Sequence, residues 1–361
     1  MSFTSEVVEP VPAESKLSAG TGSPLLRFIF KRIAIGLLLM LGITLISFTV
    51  TQIVPGDPAA INLGQSAMSN PEIVARWKAQ YGLDKPVPTQ YVLYLKKLLH
   101  GDMGISQQSQ RPVRQDLAEY FPATLELALV AIFFSLIIGL LLGIISAIRR
   151  DRLSDQIIRF FSLAGVSMPT FWTSLVVFYV FFFKLGWFPG TGRLDPGSDN
   201  PTHLTGFFTV DALIHGQFAL FWQALAHIAM PAFVLAIYTI GLLTRFTRAS
   251  VLEILGNDYV RAARAKGLPE WLVIKRHVMR PALLSIITVA GVAFGSLLAG
   301  SVLVENVFSW PGIGQYAFKS AIGLDLPGIM GVSVVVAGVF ITMNLLVDIL
   351  YRFIDPNLRS Q

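Results

Sequence analysis

The chain's 361 residues are 53% hydrophobic and only 14% charged, with a mean hydropathy of +0.63, a balance that excludes an ordinary soluble domain. No cysteine occurs, which removes disulfides, thiolate metal sites and cysteine nucleophiles. The net charge of +6 matters through its placement, because in a membrane chain basic residues set orientation.

Taken in order, the first 26 residues carry Pro10, Pro12, Gly20, Gly22 and several serines and are predicted to be a disordered tail, unable to bury enough apolar surface to order itself. They do not resemble a cleavable signal, because Arg27, Lys31 and Arg32 precede a full-length apolar run. Six such runs are long enough to cross a membrane: Ile33 to Val54, Leu125 to Ile148, Phe160 to Phe183, Ala224 to Leu243, Leu283 to Val304 and Ile329 to Ile349. Between the first two, Asn70-Pro71-Glu72 reads as N-cap, first-turn proline and acidic first turn, with Gly82 as the stop. A second short helix is predicted from near Pro88 to Leu99, ending at His100-Gly101.

Eighteen of the 28 basic residues fall on one side of the bilayer if the N-terminus is cytoplasmic. They lie before the first span, between the second and third, between the fourth and fifth, and after the sixth. Seven of the other ten sit in the long connection after the first span, whose charge weighs little. Both termini are therefore expected in the cytoplasm of a multi-pass plasma-membrane protein.

The spans carry little ionisable chemistry. No stretch matches G-x-x-x-x-G-K-[ST], so the chain is not expected to hydrolyse ATP. Asp, Glu, Lys and Arg are absent from the span centres, against an ion-coupled carrier. Glu126, Glu305 and Asp348 lie near span ends, where they are expected to reach water or headgroups, with Asp348 paired to Arg352 one turn on. Gly331-Val332-Ser333-Val334 lacks the second glycine and the histidine of a serine protease site. His227, a lone histidine beside the fourth span, reads as a packing or interface residue rather than a ligand. Gly139 with Gly143 and Gly291 with Gly295 permit close helix approach, either at a subunit interface or within the chain. Pro169 and Pro231 are expected to kink their helices.

Between the fourth and fifth spans, Asn257-Asp258 can cap a helix from Tyr259, and Gly267 with Pro269 ends it after Lys266. Val260 and Ala263 share one side of it, with Arg261 and Arg264 displaced around the axis. Two readings stand: an interfacial helix held to headgroups by its arginines, or a peg inserted into a soluble partner.

Asp258-Tyr259-Val260-Arg261-Ala262-Ala263-Arg264-Ala265-Lys266-Gly267-Leu268 resembles the coupling loop of the permease subunits of bacterial dipeptide and oligopeptide ABC importers. Pro55-Gly56-Asp57-Pro58, Tyr81 to Pro86, Gly101-Asp102-Met103-Gly104, Pro122 to Leu127, Phe308 to Gly314 and Asn344 to Asp348 extend the likeness to the B-type permease over nearly the whole chain from residue 27. Arg261 replaces the leading acid of the general importer pattern, and the later proline is displaced to Pro281.

The resemblance implies an all-α, six-span type I importer permease with no catalytic, metal or cofactor site of its own, ATP and Mg residing in partner subunits. The chain then divides into the disordered tail over 1–26, a departure from the family's usual short start, a first span over 27–54, an extracytoplasmic helical segment over 55–124, and a five-helix core over 125–361 with a coupling loop at about 245–282. The implied partners are a second permease, two cytoplasmic ATP-binding subunits, an extracytoplasmic solute-binding protein and membrane lipid. The implied function is passage of peptides or peptide-like solutes by alternating access. The coupling helix would comprise Asp258 to Gly267, and Glu126, Glu305, Trp310 and Asp348 are motif positions without an assigned role. An ion-coupled carrier and a non-transporting scaffold are the competing readings, and the cargo within the branch is not specified.

Overall fold

The computed structural model describes residues 24–53, 63, 70–82 and 84–354. Most of the predicted tail and the Pro55-Gly56-Asp57-Pro58 motif lie outside the described residues. Among those described, every regular element is a helix, with one isolated bridge between Ile105 and Pro112.

Helix α1 (Pro24–Ile53) begins inside the predicted tail, with proline in the first turn where its missing N–H costs nothing. Helix α2 (Pro71–Tyr81) has the predicted ends: the Asn70 side chain accepts from the Glu72 amide, and Gly82 takes φ +72°. Helix α3 (Val87–Leu99) follows. Helix α4 (Val113–Ile148) starts twelve residues before the predicted span and runs through Pro122. At 36 residues it is about 54 Å long, well beyond a hydrocarbon core of about 30 Å.

The third predicted span is broken. Helix α5 (Leu153–Ser167) and helix α6 (Thr170–Lys184) meet at 104° across Met168-Pro169, because Pro169 can neither donate to the ladder nor let its predecessor stay helical. Helices α7 (Phe208–Ile214) and α8 (Phe218–Leu255) come next, then α9 (Asp258–Ala265). Helix α10 (Glu270–Val307) contains a π-helical stretch from Val273 to Val278. Helices α11 (Ile313–Ile322) and α12 (Leu326–Ile354) complete the described chain. Five continuous spans and the broken pair account for the six apolar runs.

Helix α8 is the hub, lying along α4, α10 and α5, while α1 packs on α12 at the edge. Both glycine pairs serve packing within the chain. A Cβ on Gly139 would lie 2.8 Å from the Leu243 side chain, one on Gly143 2.9 Å from the Thr244 carbonyl, and Gly291 and Gly295 face Val347 and Phe340 of α12. One apolar cluster fills the middle, around Leu127, Ile228, Val234, Phe294 and Trp310. A second, from Ala147, Val251, Ile254, Val273, Val278 and Ile286, sits at the end carrying α9. A third, from Val113, Leu117, Ile313 and Tyr316, lies at the far end.

Candidate functional site

The α9 end is built from a short helix whose apolar side is used up inside the chain. Asn257 occupies the N-cap with extended backbone, though its side chain makes no capping bond, and the helix runs Asp258–Ala265. Val260 and Ala263 are buried in the cluster under α8 and α10, which leaves Asp258, Tyr259, Arg261, Ala262 and Arg264 exposed on the outer face. An interfacial helix needs an apolar face for the lipid, and α9 has none to spare.

The turn after α9 is fixed in two ways. Gly267 takes φ +77°, a left-handed conformation that costs a residue with a Cβ roughly 1–2 kcal/mol. Across the same turn the Arg264 guanidinium donates Nε to Glu270 Oε2 at 3.0 Å and Nη2 to Oε1 at 2.6 Å, a fork that sets the angle between α9 and α10. Ala265 and Lys266 are exposed on this turn.

Beside α9 lies an ion pair that sequence reading missed. Asp155, fully buried at the start of α5, accepts Nε and Nη2 of Arg248 on α8 at 2.9 and 2.8 Å, the Asp151 amide at 3.0 Å, and the Ser146 hydroxyl from α4. Three helices are thus tied together where α9 is seated.

At the far end the motif glutamates do not reach water, contrary to expectation. Glu126 and Glu305 are both buried, and each accepts from the first turn of a short helix. Glu305 Oε2 takes the Gln315 amide of α11 at 2.8 Å, while Oε1 takes the hydroxyls of Thr124 at 2.7 Å and Ser301 at 2.9 Å. Thr124 in turn accepts the Ile313 amide at 2.8 Å. Unpaired amides at a helix start carry partial positive charge, which is what a buried carboxylate needs. Gly314 is required by this contact, since a Cβ there would stand 2.8 Å from Glu305 Oε2 and 2.7 Å from Val302 Cα. Trp310 is buried and donates Nε1–H to the Ala123 carbonyl at 3.0 Å, so the Phe308 to Gly314 motif is a lid closed over α4.

Glu126 does the same for α7. It accepts the Thr209 amide at 2.8 Å and the Phe208 amide at 3.3 Å, and pairs with Arg193 Nη2 at 2.6 Å. Arg193, 7% exposed, also donates to the Gly206 carbonyl at 2.8 Å and stacks 3.5 Å over the Phe208 ring. Its loop is tied further by Asp195, which meets His227 Nε2 at 3.1 Å and accepts from Gln223. These bonds from His227 and Gln223 hold the Asp195 carboxyl below the usual carboxylate range. Burial raises Asp211, but bonds from the Thr205 hydroxyl and the amides of Thr205, Leu204 and Gly206 outweigh it and leave the group lowered. A cavity of about 490 Å³ lined by Arg193, Asp195, Glu119, Tyr120 and Phe208 opens beside this loop.

Asp348 pairs with Arg32 of α1 at 3.0 Å; the side chain of Arg352, its expected partner, lies outside the described residues. The cause is packing: α1 lies along α12 and brings a cation from a distant part of the chain. His227 is buried, as a packing residue should be, but it also bonds the Gly192 carbonyl at 3.1 Å. Asp155, Arg248, Arg193 and Asp195 left no local signal in the sequence, because their partners are far away in it.

Residues 139–360 match the family described as binding-protein-dependent transport system inner membrane component, and residues 25–128 match the N-terminal family of such membrane components. The probable D,D-dipeptide transport system permease of Escherichia coli K12 is 43% identical over 89% of this chain and 94% of its own length. The dipeptide transport system permease of the same organism is 39% identical over 93% and 100%. The di/tripeptide transport system permease of Pseudomonas aeruginosa matches at 39% over the same shares. A chain of the MetNI methionine ABC transporter, solved in inward facing conformations, superposes with a TM-score of 0.49 at 17% identity, covering 64% of this chain and 93% of that one. With spans, motifs and full-length relatives in agreement, the chain belongs to the binding-protein-dependent transport system inner membrane components, alongside the permeases of dipeptide transport systems.

Proposed function

We propose that this chain forms half of the passage by which an ATP-driven importer carries peptides or peptide-like solutes across the plasma membrane, and that α9 is its coupling element. The observation that carries the reading is the seating of α9: its apolar side is locked under α8 and α10 while Tyr259, Arg261 and Arg264 face outward. Force applied to that outer face passes into two spans without a flexible joint. The partners are a second permease, two cytoplasmic ATP-binding subunits that hold ATP and Mg, and a solute-binding protein on the opposite side. The α9 end and both termini then lie in the cytoplasm, in keeping with the basic residues around α9. Closure of the ATP-binding subunits would push α9, tilt α8 and α10, and open the passage to alternate sides. The names of the relatives support a peptide cargo.

The test uses the reconstituted complex with its partners. Arg261→Cys should crosslink to an ATP-binding subunit, and Gly267→Val should leave ATP hydrolysis running while peptide uptake per ATP falls. Normal uptake by Gly267→Val, together with no crosslink in any nucleotide state, would overturn the assignment.

A further inference from the structure

Helix α3 belongs to the segment predicted to lie outside the membrane, yet its side chains hold it against α1 at bilayer depth. The Tyr91 hydroxyl lies 3.2 Å from the Leu41 carbonyl and 3.1 Å from Thr44 Oγ1. The Phe48 ring packs against Tyr91 at 5.4 Å and Tyr94 at 6.1 Å, and Gln52 donates to Gln90 at 3.2 Å. We take the Arg32–Asp348 pair, near the start of the apolar stretch Phe30–Ile53, as the α9-end edge of the hydrocarbon. About 20 residues from there, one membrane thickness, reach Gln52. Helix α3 crosses α1 at the level of Phe48, about 6 Å inside that limit at 1.5 Å per residue.

The side of α3 turned away from α1 is a strip of Val92, Lys96 and Leu99, spaced i, i+4, i+7 on one face. Val92 is 62% and Leu99 87% exposed, and Lys96 between them is exposed as well. Depths of about 5–10 Å are where amphipathic helices rest at the boundary of headgroups and acyl chains. A lysine in such a strip lays its methylenes along the apolar surface and carries its ammonium outward.

We propose that α3 is an interfacial helix, its Val92–Leu99 strip bedded in phospholipid of the leaflet at the far end and Lys96 reaching the headgroup phosphates. Phospholipid is the occupant because the strip continues the apolar surface of α1, exposed at Leu45 and Ile46 on the same half of that span, and because its one charge has the sign that phosphate requires. This inference concerns where α3 lies and does not depend on transport.

The native sequence has no cysteine, so single Val92→Cys and Leu99→Cys variants of the full chain can carry an environment-sensitive NBD label in lipid nanodiscs. Asp199→Cys serves as a water-facing reference. Labels at 92 and 99 should emit to the blue of the reference and lose intensity to doxyl-phosphatidylcholine but not to aqueous iodide. Adding Lys96→Glu should shift the label at 99 back toward the red. Quenching by iodide at both positions would place the strip in water and overturn the proposal, and so would protection from both quenchers, which would mean that protein covers it.

Discussion

Asp155 and Arg248 stand 93 residues apart in the sequence and meet as a two-pronged pair, Nε to Oδ1 at 2.9 Å and Nη2 to Oδ2 at 2.8 Å, with the carboxylate fully buried. Removing one member strands the other charge, which typically costs about 3–5 kcal/mol, whereas replacing both by apolar residues is often close to neutral. Arg248→Met should therefore lower the thermal midpoint of the purified chain sharply, and Asp155→Leu combined with Arg248→Met should recover much of the loss. Equal midpoints for the single and double variants would contradict the pairing.

The Glu305 carboxylate is predicted to hold the start of α11. In Glu305→Gln one oxygen becomes an NH2 group, so either the Gln315 amide or the Thr124 hydroxyl proton loses its buried acceptor. Leaving such a group unsatisfied costs about 1–3 kcal/mol. Hydrogen exchange at the first amides of α11 should quicken, while exchange in the middle of α8 stays as it was.

Gly143 should tolerate no branched side chain. Its missing Cβ leaves room for the Thr244 carbonyl, 2.9 Å from where that atom would be. Gly143→Val forces α4 from α8 at a cost of about 1–3 kcal/mol or more. Gly42, with nothing within 4 Å of its missing Cβ, is the control: Gly42→Ala should be neutral or slightly stabilising in the same thermal assay.

The far-end loop should loosen in acid. Asp195 has its carboxyl lowered by His227 and Gln223, so its contribution is complete above the ordinary carboxylate pKa and is lost as pH falls through the lowered folded value. The effect is small because the group is half exposed. Thermal midpoints of the chain and of Asp195→Asn should differ at neutral pH and converge in acid. A difference that persists unchanged at the acid end would refute the account.

Orientation has a direct test in the cysteine-free chain. Gln156→Cys lies at the α9 end and Asp199→Cys at the far end, both exposed. In intact cells an impermeant thiol reagent should label position 199 and spare 156. The reverse pattern would invert the topology.

Much of the architecture was legible in advance for reasons that are local. A span announces itself by apolar residues over about 20 positions, since no other sequence survives hydrocarbon on all sides. The ends of α2 were readable from Asn70 and Gly82 and the stop of α9 from Gly267, because caps and left-handed stops depend on residues within one turn. What the tertiary structure alone decided concerns charge and angle. Hydropathy does not report direction, so the 104° break at Met168-Pro169 looked like one kinked run. Glu126 and Glu305 sit near the ends of apolar runs and read as water-facing, but both are buried where α4 and α10 reach the far end. Their protruding turns are roofed by α7 and α11, whose unpaired amides, with Arg193, supply the positive charge the two glutamates need. Arg32 and Arg248 find Asp348 and Asp155 because helices distant in sequence pack side by side. A buried charge is stable only beside its compensation, and that compensation came from elsewhere in the fold.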